Sequence, residues 1–491
     1  MKPSAGVWCR RFFYGTAMSS EIDISCPAPR RGGVRELLAI AFPMVVSQAC
    51  ETLMMFVDRA FLSRLGARYM AAAMGGGVTV FMFMTLFIGL TGYTSPLVAQ
   101  YLGAGRKRNC AMVAAQALIV CAFAYPVILA CIPLGGKLFR LSGIAAEQLA
   151  PQEAYFRILM FGAVIGLARH TITSFFSGIG RTRIVMVSTA VAMAVNILSN
   201  YVLIFGKLGF PAMGIQGAAV GTLLGTSSAL AVTAGVFFSA RYRREFGTVS
   251  GIRMDASVMK KLLRYGLSPG VEMFLNVVAF NVLVMSFHSY GVEVAASVTI
   301  AFSWDLVSFV PLIGVHIAVM SLVGRYMGAG DPDTAHKSTI AGLKLAVMYA
   351  AFTFTIYLLL PHYLVRPFLQ SGDQEQAAAI APMAVYMIRL ITVYIFGDAL
   401  TLVFSGALKG AGDTFWTMCI SVSGHWVMAL GTLVMIHGFQ LSPRTAWAVA
   451  VFLIMGIGAA FLVRYRMGRW REMRVVDAEG EPLPEVPLAG D

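Results

Sequence analysis

Charge is what this sequence has least of. Asp, Glu, Lys and Arg together make up 13% of its 491 residues, about half the share usual in a soluble domain, and mean hydropathy is +0.74. A water-soluble globule is excluded. Cysteine offers no framework either: Cys9, Cys26, Cys50, Cys110, Cys121, Cys131 and Cys419 are odd in number, scattered and mostly inside apolar runs, so neither a disulfide set nor a zinc spacing follows. No HExxH occurs and no two of the seven histidines stand four apart, which argues against a membrane metalloprotease. The absence of a GxxxxGK[ST] phosphate loop removes ATP as an energy source. Residues 1–33 hold no apolar stretch of signal-peptide length, so no cleaved signal is expected.

What is present is a series of long apolar runs without the dyad alternation of a membrane barrel. A helix crosses a bilayer with about 20 apolar residues. On that scale the chain divides into spans near 37–62, 76–99, 109–133, 155–178, 184–206, 216–239, 262–287, 295–323, 339–361, 383–408, 414–437 and 445–465. The expectation is an all-α integral membrane protein of about 12 transmembrane helices.

The formal net charge of +14 marks topology and no nucleic-acid partner is expected. Arg30, Arg31 and Arg35 precede the first span, Arg106, Lys107 and Arg108 follow the second, Arg181 and Arg183 follow the fourth, and Arg241 to Arg264 crowd the loop after the sixth. Loops of the other face carry only Lys137 and Arg140, then Lys207, then Arg366. By the positive-inside rule both termini are cytoplasmic, in a plasma membrane of bacterial inner-membrane type. The basic loops also suit contact with anionic membrane lipids.

Against this apolar background, acids inside the spans stand out: Glu51 and Asp58 in the first, Glu272 in the seventh, Asp305 in the eighth, Asp398 in the tenth. A carboxylate at the centre of a membrane helix costs about 2.5–3.5 kcal/mol on insertion scales, so such groups face a bundle interior or a wet cavity and handle ions or cationic solutes. A transporter is the class this pattern favours.

The chain repeats internally. LGARYMAAA at 65–73 resembles YGVEVAASV at 290–298, and YLGAGR at 101–106 resembles YMGAGD at 326–331; Gly66 and Gly291, like Gly103 and Gly328, are 225 apart. SGIGRTRIVM at 177–186 resembles KGAGDTFWTM at 409–418, with Gly178 and Gly410 at 232. Two pseudo-symmetric six-helix lobes in the same order follow, an arrangement that places a substrate site near the midplane between the halves. The expected organisation is an N-terminal cytoplasmic extension over 1–34, an N-lobe over 35–240, a cytoplasmic interlobe loop over 241–258, a C-lobe over 259–466 and a disordered cytoplasmic tail over 467–491.

At these strings the chain resembles the multidrug and toxic compound extrusion (MATE) family, within a larger group that also contains lipid-linked oligosaccharide flippases. The matching residues are AFPM at 41–44, VDRAFLSRLG at 57–66, VAQYLGAG at 98–105, NILSNYVLIFGKLGFPAMGIQGAAVGT at 196–222, PLIGVHIAVMSLVGRYMGAG at 311–330 and SGALKGAGDT at 405–414. The resemblance implies a monomeric antiporter with no cofactor, exchanging Na+ or H+ for cationic amphipathic drugs. By position Asp58 matches the family's first-helix aspartate, Asn196 and Asn200 a first-lobe pair, and Asp398 the tenth-helix aspartate. The seventh helix departs from the pattern: Asn276 holds the place of a glutamate, and Glu272 lies one turn earlier.

Helical geometry reads the same positions independently. Glu51 and Asp58 share a face about 10.5 Å apart along the axis, and Asn196 with Asn200 and Glu272 with Asn276 are i,i+4 pairs. Carboxylate and carboxamide oxygens are the set a hard cation prefers; with the positions that the resemblance brings together, the expected Na+ sites are Asp58, Asn196 and Asn200, or Asp398, Asn276 and Glu272. Protons and organic cations compete for the same carboxylates. Structural alternatives stand beside these readings: Asp58 paired with Arg59 or Arg64, the asparagines as interhelical glue, Arg169 as a counter-ion or a snorkelling helix-end residue. The rival functions are an oligosaccharide-lipid flippase, which wants a more cationic cavity, and a non-transporting receptor or enzyme.

Overall fold

Residues 31–141, 146–369 and 374–476 are described by a computed structural model, and among them regular structure is helical throughout. The N-lobe comprises α1 (Val34–Ser63), α2 (Ala67–Gly92), α3 (Thr94–Gly103), α4 (Lys107–Ala130), α5 (Ile132–Leu141), α6 (Ala146–Phe161), α7 (Ala163–Gly178), α8 (Thr182–Phe205) and α9 (Gly214–Phe237). A short α10 (Ala240–Phe246) lies in the connection expected as a plain loop. The C-lobe comprises α11 (Ala256–His288), α12 (Val292–Gly328), α13 (Pro332–Leu359), α14 (Pro361–Leu369), α15 (Gln374–Ala411), α16 (Thr414–His437) and α17 (Pro443–Arg466). Eleven stretches are long and apolar enough to cross a membrane, and α6 with α7, bent by 48°, make the twelfth.

Local chemistry sets several boundaries. Asp255 caps α11 by accepting from the Val258 amide at 3.0 Å, and Asp331 caps α13 from Thr334 at 2.9 Å, with Pro332 in the first turn. The second span, expected as one helix, breaks at Tyr93, just ahead of Pro96. Repeated glycines take the same left-handed turn in each half: φ is 76° at Gly105 and 72° at Gly330, and 74° at Gly180 and 108° at Gly412.

Packing repeats as well. In the N-lobe α1 lies on α8, α2 on α6, and α8 on α9; in the C-lobe the matching pairs are α11 on α16, α12 on α15, and α16 on α17. The lobes meet crosswise, α1 against α12 and α2 against α11. Glycine permits that approach: a Cβ on Gly89 would stand 2.5 Å from the Pro269 carbonyl, and one on Gly314 would stand 2.6 Å from Val45 Cγ2.

These interlobe contacts gather toward the face of the basic loops. Gln100 donates to the Gly410 carbonyl at 2.7 Å, Ser321 to the Ser177 carbonyl at 2.9 Å, and Arg325 to the Ile179 carbonyl at 3.2 Å while facing Glu36 at 3.7 Å. The bonds of Gly32 with Tyr326 and of Tyr326 with Glu36 fall in the same half of the structure. The lobes are therefore joined at the basic-loop face.

The chain after α17 departs from the expected disordered tail. A 3-10 turn over Arg469–Glu472 buries Trp470, and Val475 and Val476 are buried as well; apolar side chains spaced for burial hold this stretch down. Residues 1–30 and 477–491, including Cys9, Cys26 and Arg30, lie outside the described residues.

Candidate functional site

Two carboxylate sites stand in opposite lobes. In the N-lobe, α1 and α8 pack side by side and bring together Asp58, Asn196 and Asn200. Asn200 Nδ2 donates to Asp58 Oδ1 at 2.5 Å and to Asn196 Oδ1 at 3.4 Å. Both asparagines are fully buried, which four-residue spacing makes possible by placing them on one face of α8. The sequence clears room for them on α9: a Cβ on Gly221 would overlap Asn200 Oδ1, and one on Gly225 would come within 2.8 Å of Asn196 Cβ.

Asp58 has no cationic partner among the described residues, and its neighbours Arg59 and Arg64 do not pair with it. Buried Asn200 Oδ1 and Asn196 Nδ2 lack a hydrogen-bond partner. An anionic oxygen beside an unused carboxamide oxygen fits a small hard cation.

In the C-lobe the arrangement differs from the expected set of Asp398, Asn276 and Glu272. Glu272 Oε1 is held by Lys409 Nζ at 3.0 Å, and Asn276 donates to Ser421 Oγ at 2.8 Å. Asp398 has instead Asp305 of α12 as its charged neighbour, with Tyr394, one turn before it on α15, beside them. Asp305 Oδ1 has no protein partner. Lys409 is eleven residues beyond Asp398 on the same helix, about 16 Å along its axis, so the two acid sites of this lobe stand apart in depth.

Glu51 follows the pattern of Glu272. Arg169 Nη1 meets Glu51 Oε1 at 3.1 Å, so Arg169 is a counter-ion and Glu51 does not join Asp58. In each lobe an ion pair thus ties the first span to the fourth, Glu51 to Arg169 and Glu272 to Lys409, although the residues are not repeat-equivalents. Two residues escaped the sequence reading. Lys409 stands inside the GALKG string and its long stem carries it to Glu272; the signal for Tyr394 in the sequence is its place four residues before Asp398. No group of three or more His, Cys, Asp or Glu poised for a metal occurs among the described residues.

The interior charge is therefore sorted. Two glutamates are neutralised by cations, whereas Asp58 and the Asp305–Asp398 pair are left to attract something positive. Adjacent anionic carboxylates repel, and a cation between them relieves that repulsion.

Comparison with known proteins agrees with this architecture. The sequence pattern of the MatE family matches residues 43–202 and 270–433, one segment in each lobe. A probable multidrug resistance protein NorM of Thermotoga maritima is 26% identical over 452 residues, covering 91% of this chain and 95% of its own length. One of the same description from Mesorhizobium japonicum is 29% identical over 468 residues, covering 92% and 97%. Among solved structures, a MATE protein in complex with MaL6 superposes with a TM-score of 0.82 at 23% identity, covering 90% of this chain and 98% of its own; at that identity the likeness concerns the fold.

Proposed function

The chain belongs to the MatE family, and on that premise we propose that it is a secondary active antiporter that exports cationic amphipathic compounds from the cytoplasm in exchange for Na+ or H+. The observation that carries this reading is the sorting of interior charge: among the described residues Asp58 in one lobe and Asp305 with Asp398 in the other have no cationic partner, while Glu51 and Glu272 do. The multidrug resistance names of the relatives support the substrate class. The protein works as a monomer in a bacterial inner membrane, with the basic loops and both termini in the cytoplasm and lipids as its only other partners. It needs no cofactor and performs no enzymatic step.

Exchange follows from competition. A Na+ ion or a proton at Asp58, or between Asp305 and Asp398, neutralises the charge that would hold an organic cation there, so entry of one favours release of the other. Na+ fits the N-lobe through Asp58 and the oxygens of Asn196 and Asn200; a proton suits either site. Coupling to transport requires the joint at the basic-loop face to part and the lobes to close at the other end; the hydrogen bonds that cross between the lobes at that face support this reading. The opposite-lobe placement of the carboxylates lets each lobe bias that equilibrium.

The test is reconstitution in proteoliposomes with a fluorescent organic cation, driven first by a Na+ gradient alone and then by a pH gradient alone. Efflux under one of them is expected. Movement of a labelled oligosaccharide-lipid under either, with no cation efflux, would replace this reading by the flippase one.

A further inference from the structure

The end of the described chain carries more than a tail's usual duty. Past Arg466 the backbone turns at Gly468, whose φ is 77°, into the 3-10 turn Arg469–Glu472. Trp470 stacks on Tyr465 with ring centres 4.9 Å apart, donates its Nε1 to the Tyr465 carbonyl at 3.1 Å, and is 2% exposed. Tyr465 in turn packs on Phe404 at 4.8 Å and accepts or donates to His336 at 2.9 Å. Arg471 reaches Asp333 at 3.2 Å. This half of the segment is seated wholly on the C-lobe.

Its other half is seated elsewhere. Val475 and Val476, flanked in sequence by charged residues, enter the apolar cluster of the N-lobe built on Tyr93, Leu97, Tyr101 and Ile179. Val475 occupies the space that a Cβ on Gly412 of the C-lobe would need, and the Tyr93 hydroxyl stands 4.0 Å from the same position. Tyr93 marks the break between α2 and α3 and stacks on Tyr265 of α11 at 6.0 Å. The segment therefore crosses the seam where the two lobes touch, close to the bonds of Gln100 with Gly410 and of Arg325 with Ile179.

We propose that residues Trp470–Val476 form a strap that holds the lobes together at the basic-loop face, and that Val475 and Val476 must leave their socket before the lobes can part there. The alternation it restrains is the one the exchange reading requires, and in that sense it rests on that reading. The physical reasoning is direct. Trp470 remains with its own lobe in any rigid-body separation, whereas the valines lie between the lobes and would be exposed to water by it, so their burial favours the closed state alone.

The experiment measures the opening itself. With the native cysteines replaced, spin labels are placed at Arg108→Cys and Lys337→Cys, exposed positions in opposite lobes on this face, and their distance distribution is recorded in lipid nanodiscs. Val475→Asp with Val476→Asp, and separately a chain ended after Met467, are expected to raise the long-distance population roughly tenfold. Val475→Ala with Val476→Ala gives the same readout in a milder form if the aspartates impair folding, which size-exclusion and thermal unfolding report. Unchanged distances in the alanine pair and the shortened chain would overturn the strap. Organic-cation binding in detergent is expected to survive these changes. If the unaltered protein binds and moves no organic cation while the distances still respond, the exchange reading fails and the strap stands.

Discussion

Lys409 Nζ lies 3.0 Å from Glu272 Oε1, and that pair removes from the cation-handling set a carboxylate whose position in the middle of α11 made it a natural member. The remaining unpaired acids divide between the lobes, and the tests follow from that division.

Asp58→Asn and Asp398→Asn each keep size and hydrogen-bonding capacity while removing the ionisable group. Gradient-driven efflux is expected to fall by about tenfold or more, on the scale of a lost coupling interaction, with expression and melting temperature near those of the unaltered protein. Asp305→Asn is expected to weaken efflux less. Near-normal transport in both Asp58 and Asp398 variants would place the cation site elsewhere.

Glu272→Gln is expected to act on stability. It leaves Lys409, whose side chain is 16% exposed, without its counter-ion, at a cost of about 3 kcal/mol. Lys409→Met in the same chain should restore much of that loss. A double variant no more stable than Glu272→Gln alone would show that the pair contributes little.

Gly221→Ala tests the room made for the asparagines. The added methyl would overlap Asn200 Oδ1, so Asn200 must move off Asp58, with an overpacking cost of about 1–3 kcal/mol and weaker ion coupling. Thermal unfolding together with Na+-dependent and H+-dependent efflux reads both effects; an unaltered coupling would mean that Asn200 is only structural.

Binding of an organic cation should weaken as pH falls, because protonating Asp58, Asp305 or Asp398 removes the negative charge that attracts it. Titration of a fluorescent cation at mildly acidic and mildly alkaline pH measures this. Equal affinity at both would argue against carboxylates as the ligands.

The sequence by itself determined the membrane class, about twelve spans, the two-lobed repeat and the one-face spacing of Asn196 and Asn200. Those rest on composition, on a period of helical turns and on glycines that recur at one offset, all of them local or periodic properties written along the chain. The interior acids were equally legible as residues, since a carboxylate in an apolar run is conspicuous wherever it points. Their partners were decided by tertiary structure. Glu272 looked like an ion ligand until the stem of Lys409 reached it from another helix, and Glu51 shared a stripe with Asp58 until Arg169 claimed it. Asp305 joined Asp398 only through the packing of α12 on α15. The same holds for the tail: Val475 and Val476 read as two apolar residues in a polar stretch, and their burial required both lobes to form the socket. Pairing of charges and burial of short apolar segments depend on which helices become neighbours, and a period read along one helix carries no information about the helix across from it.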